Sequence, residues 1–259
     1  MGLMKDETFS PSKYFNLIAK CSLTFRDSSL YEKVVETLLD CYKRGGTVFT
    51  MGCGGSASTA THFAADLAKT TMIDNKLGFR SMALVDNVPL VSAWTNDKGW
   101  GTVFEGQLRA WLTKNDVLVG FSVHGGNQRG DEAGPWSQNL VAAMKLAKER
   151  GAKIIGFSGF DGGAMKEMSD VCFVIPTQSD VNGTPLVEAM HVVLHHSIIF
   201  DLKERMKLPG LKPGVSSPRY FVGSEIPPKQ KNLRIHPRAH ARGFLRRRMK
   251  DVNGRKTTA

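Results

Sequence analysis

The sequence predicts an α/β protein: a parallel, doubly wound sheet with helices on both faces. Three observations carry that expectation. Short apolar or β-branched runs recur at 47–51, 81–85, 117–121, 153–157 and 171–175, and segments of helical period separate them. The run Val117-Leu118-Val119-Gly120-Phe121 is apolar throughout, as a strand covered on both faces requires. The first run leads through Gly52-Cys53-Gly54-Gly55 into a helical segment, the strand–turn–helix unit of parallel sheets.

Each element has its own signal. Helices are expected at about 11–24 and 28–44. The second carries Leu30, Val34, Val35, Leu38 and Leu39 at helical spacing and stops before Gly45-Gly46. Strand 47–51 and helix 57–70 follow, then strand 81–85 and helices near 88–95 and 102–113. After strand 117–121 comes a polar loop, 123–136. Helix 137–150 ends at Gly151, and strand 153–157, a short helix at 162–168 and strand 171–175 lead to a last helix at 184–206. Ligands of such sheets lie at the carboxyl ends of the strands, which directs attention to the loops after 47–51 and 117–121.

A chain of 259 residues, 41% of them hydrophobic, is long enough for a full core. It has no apolar run near 18 residues, so no membrane-spanning helix is expected. The N-terminal residues lack the apolar stretch of a signal peptide. Cys21, Cys41, Cys53 and Cys172 form no C-x-x-C pair, so neither a zinc ribbon nor a disulfide scaffold is indicated, and a cytoplasmic location is expected. The net charge of +11 is uneven. Residues 207–259 hold 14 Lys/Arg against 2 Asp/Glu, net +12, which leaves the body at −1. Six of the eleven prolines are also there. The expectation is a folded domain over 1–206 and an extended or disordered basic extension over 207–259.

Three clusters carry chemistry. The first is Gly52-Cys53-Gly54-Gly55-Ser56, where glycines permit a close backbone approach and a helix start offers free amides to an anion. One turn further on, His62 and Asp66 share a helix face. The second is the 14-residue loop 123–136, long for a connection of this kind, with Ser122 and His124 at its start and Ser137 placed to cap the next helix. The third is the last helix. Glu188, His191 and His195 share one face at i, i+3 and i+7, and His196 is turned from Glu188 by about 80°. Three histidines and a carboxylate at that density suit metal binding or proton transfer.

Gly-x-Gly-Gly-Ser leading to His-Phe-Ala-x-Asp resembles the SIS (sugar isomerase) domain. Gly156-Phe157-Ser158-Gly159-Phe160-Asp161-Gly162-Gly163 and Glu188-x-x-His191-x4-His196 narrow the resemblance to the phosphoheptose isomerase family over about 11–206. The resemblance implies a flavodoxin-like three-layer sandwich, a homotetramer with sites at subunit interfaces, a divalent metal such as zinc, and interconversion of sedoheptulose 7-phosphate with glycero-manno-heptose 7-phosphate. Carried over by position, Gly54, Gly55, Ser56, Asp97, Ser122 and Ser137 would bind substrate, and His124, which arrives with the altered loop, is expected to join them. Asp66, falling on the family's catalytic glutamate, with Glu188 and His196 would be catalytic. His62, Asp66, Glu188 and His196 would hold the metal. His195 has no counterpart there.

The departures are specific. Asp66 is one methylene shorter than glutamate, Glu188 stands for glutamine, and Cys53 stands for asparagine. The family's compact serine-rich phosphate loop has become Ser122-Val123-His124 with an insertion reaching Ser137, where Arg129 arrives and two hydroxyls are lost. Two other readings are a non-catalytic sugar-phosphate sensor and a protein that binds the replication initiator. The basic tail also suggests nucleic acid, since clustered Lys/Arg neutralise phosphates. A pure binding protein, however, has no need of four such groups together.

Overall fold

The computed structural model describes residues 10–26, 28–74, 76–126, 137–177, 180–208, 210–212 and 214. The elements run α1 (Pro11–Arg26), α2 (Ser29–Lys43), β1 (Thr47–Met51), α3 (Gly55–Lys69), β2 (Arg80–Ala83), α4 (Val88–Lys98), a 3-10 turn (Trp100–Thr102), α5 (Val103–Leu108), β3 (Val117–Phe121), α6 (Gln138–Arg150), β4 (Lys153–Gly159), α7 (Gly163–Met168), β5 (Val171–Ile175) and α8 (Asp180–Met206).

All strand pairs are parallel, in the order β2-β1-β3-β4-β5. The expected doubly wound sandwich is therefore present. Alternate strand residues feed two cores. Val48, Val117, Val119, Phe121, Ile155, Phe157 and Phe173 pack under α1, α2, α3 and α8. Phe49, Met51, Leu118 and Ile154 pack under α5, α6 and α7. In this strand order the connections reverse direction at β1 and β3, which opens a crevice beyond their carboxyl ends.

Several boundaries differ from the expected ones, each for a tertiary reason. Helix 102–113 is only α5 plus turns. Gly106 lies under the Trp94 ring, where a Cβ would come within 2.6 Å. The Asp116 carboxylate then takes the Thr113 N–H at 2.6 Å and the Thr47 N–H at 2.7 Å, turning the chain into β3. α8 begins one turn before Thr184-Pro185, because Gly183 packs on the Phe160 ring with no room for a side chain. β2 is shorter than 81–85, and β4 runs on to Gly159.

Asp74, Ser137 and Phe160 are the described non-glycine residues with positive φ. Beyond Met206 the described residues stay against the body. Lys76 donates to the carbonyls of Met206 and Leu208, Leu211 packs on the core, and the Gly214 N–H reaches the Tyr42 carbonyl. Most of the basic extension lies outside the described residues. No described helix is long and apolar enough to cross a membrane.

Candidate functional site

Two groups of side chains stand out, joined by α3. The first is at the crevice. β1 ends in the turn to Gly54, whose φ of +58° needs glycine, and α3 starts at Gly55 with no side-chain cap. Ser56 is buried in the first turn, and Thr59 bonds back to the Gly55 carbonyl at 3.3 Å. Across the crevice, Ser122 follows β3 and its Oγ accepts the Gly125 N–H at 3.0 Å.

Loop 122–126 is rigidly backed. The N–H groups of Gly159, Ala164 and Met165 donate to the carbonyls of Val123, Gly126 and Gly125. Gly126 comes against Ser137, which brings the end of loop 122–126 to the N-terminus of α6. Ser137 is the N-cap residue but sits at φ +58° and makes no side-chain cap bond, contrary to its expected role. Asn139, fully buried, donates from Nδ2 to Cys53 Sγ at 3.3 Å and so ties α6 to the glycine turn, while burial raises the Cys53 thiol. Residues 127–136, with Arg129, lie outside the described residues.

The second group lies about two turns down α3. Asp66 Oδ2 is 3.4 Å from His62 Nε2, 3.5 Å from His195 Nε2 and 3.8 Å from His196 Nε2. Its other oxygen, Oδ1, accepts the Thr70 hydroxyl at 3.0 Å. The ligating atoms of these four residues all lie within 4.8 Å of one another. His62 and His196 are half-exposed, whereas His195 is fully buried and neither of its ring nitrogens makes a hydrogen bond. Burial, then the neighbouring His196 and His62, push the His195 imidazolium down to about 4, so the ring is neutral at pH 7. Phe63 fixes the arrangement from beneath, packing on His195, Phe121 and Phe157 at 5.7, 5.8 and 6.3 Å between ring centres.

Of the residues expected to hold the metal, Glu188 lies outside this four-residue group. Its carboxylate lies over Gly55, where a Cβ would meet Oε1 at 2.3 Å. α3 and α8 run side by side in the same direction, so Glu188 matches Gly55 and the residue seven later, His195, reaches the level of His62 and Asp66. His195 completes the group with His62, Asp66 and His196. The helical spacing carried this signal, since Glu188, His191 and His195 share the face turned to α3. His191, between them, is buried against Phe121 and Phe157, 3.4 Å from the Ser158 carbonyl, and burial lowers it to about 4. Asp97 is on the exposed last turn of α4, bonded to Asn96 at 2.8 Å, and no described hydrogen bond or ion pair joins it to either group.

Three of the six edges of the four-residue cluster can be set against those of a divalent ion's tetrahedron. Ligands about 2.05 Å from zinc in a tetrahedron stand about 3.3 Å apart. The three Asp66–imidazole distances, 3.4 to 3.8 Å, are close to that edge. A neutral, buried imidazole with its Nε2 beside a carboxylate and its Nδ1 without a partner also fits a ligand better than it fits a core residue.

Comparison with known proteins agrees with the fold. The SIS domain family matches residues 14–159. Lincomycin biosynthesis protein LmbN of Streptomyces lincolnensis is 46% identical over 163 residues, 63% of this chain, and the chain spans only 58% of that protein. A phosphoheptose isomerase of Aliarcobacter butzleri is 34% identical over 64% of this chain and 80% of its own length. The structure of phosphoheptose isomerase GmhA from Neisseria gonorrhoeae superposes with a TM-score of 0.62 at 26% identity, covering 74% of this chain and 94% of that one.

Proposed function

This chain belongs to the phosphoheptose isomerase family of SIS-domain proteins, and on that premise we propose that it isomerises a ketose phosphate to an aldose phosphate, with sedoheptulose 7-phosphate as substrate. The observation that carries the reading is the Asp66–His62–His195–His196 cluster, set two turns down α3 from an uncapped anion crevice.

The two helix starts at the crevice are not equivalent. Glu188 places a carboxylate over the start of α3, which repels a second anion there. The start of α6 has no side-chain cap, and Gly126 of the loop that follows β3 lies against it. We therefore assign the phosphate to α6 and its loop, and the sugar hydroxyls to Gly54, Gly55, Ser56 and Glu188. From Ser56 to His62 the helix rises about 9 Å. An open-chain seven-carbon sugar phosphate spans that gap, which brings C1 and C2 to the cluster.

There, Asp66 removes the proton from one carbon through Oδ2, the oxygen its Thr70 hydrogen bond leaves open. His196, half-exposed opposite it, supplies the proton that opens the ring and completes the transfer. His62, Asp66, His195 and His196 would hold a divalent ion such as zinc in the resting site. For the ion to stabilise negative charge on the enediolate oxygens as a Lewis acid, Asp66 and His196 would have to be released to the proton transfer, leaving His62 and His195 to hold it. Asp97 would reach a substrate only in an assembly, consistent with a cytoplasmic homotetramer. Incubating the full chain with sedoheptulose 7-phosphate and following the aldose product by NMR tests the proposal. Absence of heptose product, with turnover of a different sugar phosphate, would replace the substrate.

A further inference from the structure

Asp66 turns one oxygen to all three imidazoles of the cluster. Oδ1 is held by the Thr70 hydroxyl at 3.0 Å. Oδ2 faces the Nε2 atoms of His62, His195 and His196 at 3.4, 3.5 and 3.8 Å. The oxygen that takes the substrate's proton in the proposed isomerisation is therefore also the oxygen at the centre of the ligand set. The same holds for His196, whose Nε2 is both the proton donor and a ligating atom. A metal ion and a proton compete for one lone pair, so these atoms cannot serve both at once.

His195 sets how firmly an ion would hold them. The ring centres of His62–His195, His62–His196 and His195–His196 are 4.6, 4.9 and 4.1 Å apart, with planes at 79°, 79° and 49°. No pair is stacked, and all three rings turn Nε2 to the same carboxylate oxygen. His62 and His196 are half-exposed and approach from the solvent side. His195 is buried on Phe63, with ring centres 5.7 Å apart, and takes the inner position. With Asp66 this makes four protein ligands, the closed number of structural zinc sites, whereas catalytic sites keep three and leave one place open. Opening the sphere to an enediolate requires Asp66 and His196 to let go. Loss of even an outer-shell partner costs a metal site about 10–100-fold in affinity, so two lost ligands cost at least about 10²–10⁴-fold. By the protein's own ligands, the closed state wins by that factor.

We propose that the cluster is a closed metal site that switches the isomerase off: with His195 as fourth ligand, a zinc-like ion withdraws Asp66 and His196 from proton transfer, and the metal-free protein is the active form. This rests on the proposed isomerisation by Asp66 and His196. Three imidazoles and one carboxylate select zinc, cobalt or nickel over magnesium and calcium, which take oxygen ligands.

The test uses the full chain, freed of metal by dialysis against a chelator. Zinc is titrated in while isomerisation of the sugar phosphate is followed, and occupancy is read by elemental analysis. Turnover is expected to fall in proportion to occupancy and to return when chelator is added, and magnesium is expected to leave it unchanged. Cobalt alone, without substrate, reads the coordination by visible absorption. The parent is expected to show the intense bands of a four-coordinate ion, unmoved by azide. His195→Leu is expected to bind cobalt at least about 10–100-fold more weakly, to let azide shift the bands, and to raise the zinc concentration for half-inhibition by the same factor. His195→Asn gives the same comparison if the leucine variant folds poorly. Turnover that rises with zinc occupancy overturns the proposal. So does an azide-sensitive spectrum in the parent, or an unchanged spectrum in His195→Leu. If the parent takes up no cobalt, the metal reading of the cluster fails and takes the proposal with it. If no sugar phosphate turns over with or without zinc, the isomerase reading fails and the switch with it, while the cobalt spectrum still shows whether the coordination is closed.

Discussion

Exchanging the roles expected of His195 and Glu188 gives a sharp experiment. The perturbation is His195→Leu, set against Glu188→Gln. In the parent protein, zinc at about 100 times its Kd adds about 2.7 kcal/mol of stability. For a domain of this size that is a rise in Tm of about 5–11 °C. His195 is one of three imidazoles within 3.8 Å of Asp66 Oδ2. Loss of a mere outer-shell partner costs metal sites about 10–100-fold in affinity, and loss of a ligand costs at least as much. A 100-fold loss at the same zinc concentration leaves about 0.4 kcal/mol, a shift of about 1–2 °C. Without metal, His195→Leu removes a buried imidazole whose polar neighbour is Asp66 Oδ2 at 3.5 Å, so the apo variant is expected to stay close to the parent in stability. Glu188→Gln, whose side chain lies over Gly55, is expected to keep the full zinc shift. Differential scanning calorimetry with and without zinc, combined with elemental analysis, reads all three proteins. A full zinc shift in His195→Leu, or its loss in Glu188→Gln, would refute the placement.

Other outcomes follow from the same geometry. Asp66→Asn and His196→Ala are each expected to lower kcat by roughly 10²-fold or more while keeping the parent's circular dichroism; normal turnover in both would move the chemistry elsewhere. His191 and His195 are buried and neutral, with pKa values pushed from 6.5 to about 4. Between those values the unfolded chain binds protons that the native one does not. Stability of the metal-free protein is therefore complete above about pH 6.5 and falls as pH drops toward 4, by about 1.4 kcal/mol per unit for each histidine. Denaturant titrations of His191→Leu should show about half that slope. Ending the chain after Gly214 removes 12 Lys/Arg and 2 Asp/Glu, net +10, and keeps the contacts of Lys76, Leu211 and Tyr42. The truncated protein should remain folded in thermal melts, whereas ending it after Met206 should lower Tm.

The alternation of strand and helix was legible in the sequence because it is a local property. Apolar runs of strand length, helical spacing in α2 and the stops at Gly45-Gly46 and Gly151 depend on residues a few positions apart. The pairing of His62 with Asp66 was legible for the same reason, being a matter of one helical turn. Even the face that unites Glu188, His191 and His195 followed from periodicity. What periodicity does not contain is the register of α8 against α3. Sliding one helix along the other by two turns would put Glu188 beside Asp66 and leave His195 elsewhere, with the same pattern of apolar residues buried. That offset is set by packing: Gly183 on Phe160, Gly159 against Val187, and Phe63 wedged between His195 and the sheet. The strain at Phe160 and the uncapped start of α6 are likewise invisible in residue types, since a phenylalanine after a strand and a serine before a helix carry no local signal for left-handed backbone. The sequence by itself determined which groups this protein has for chemistry and which elements carry them. Only the tertiary structure decided which of those groups meet, because a meeting between helices depends on the fit of side chains distant in the chain.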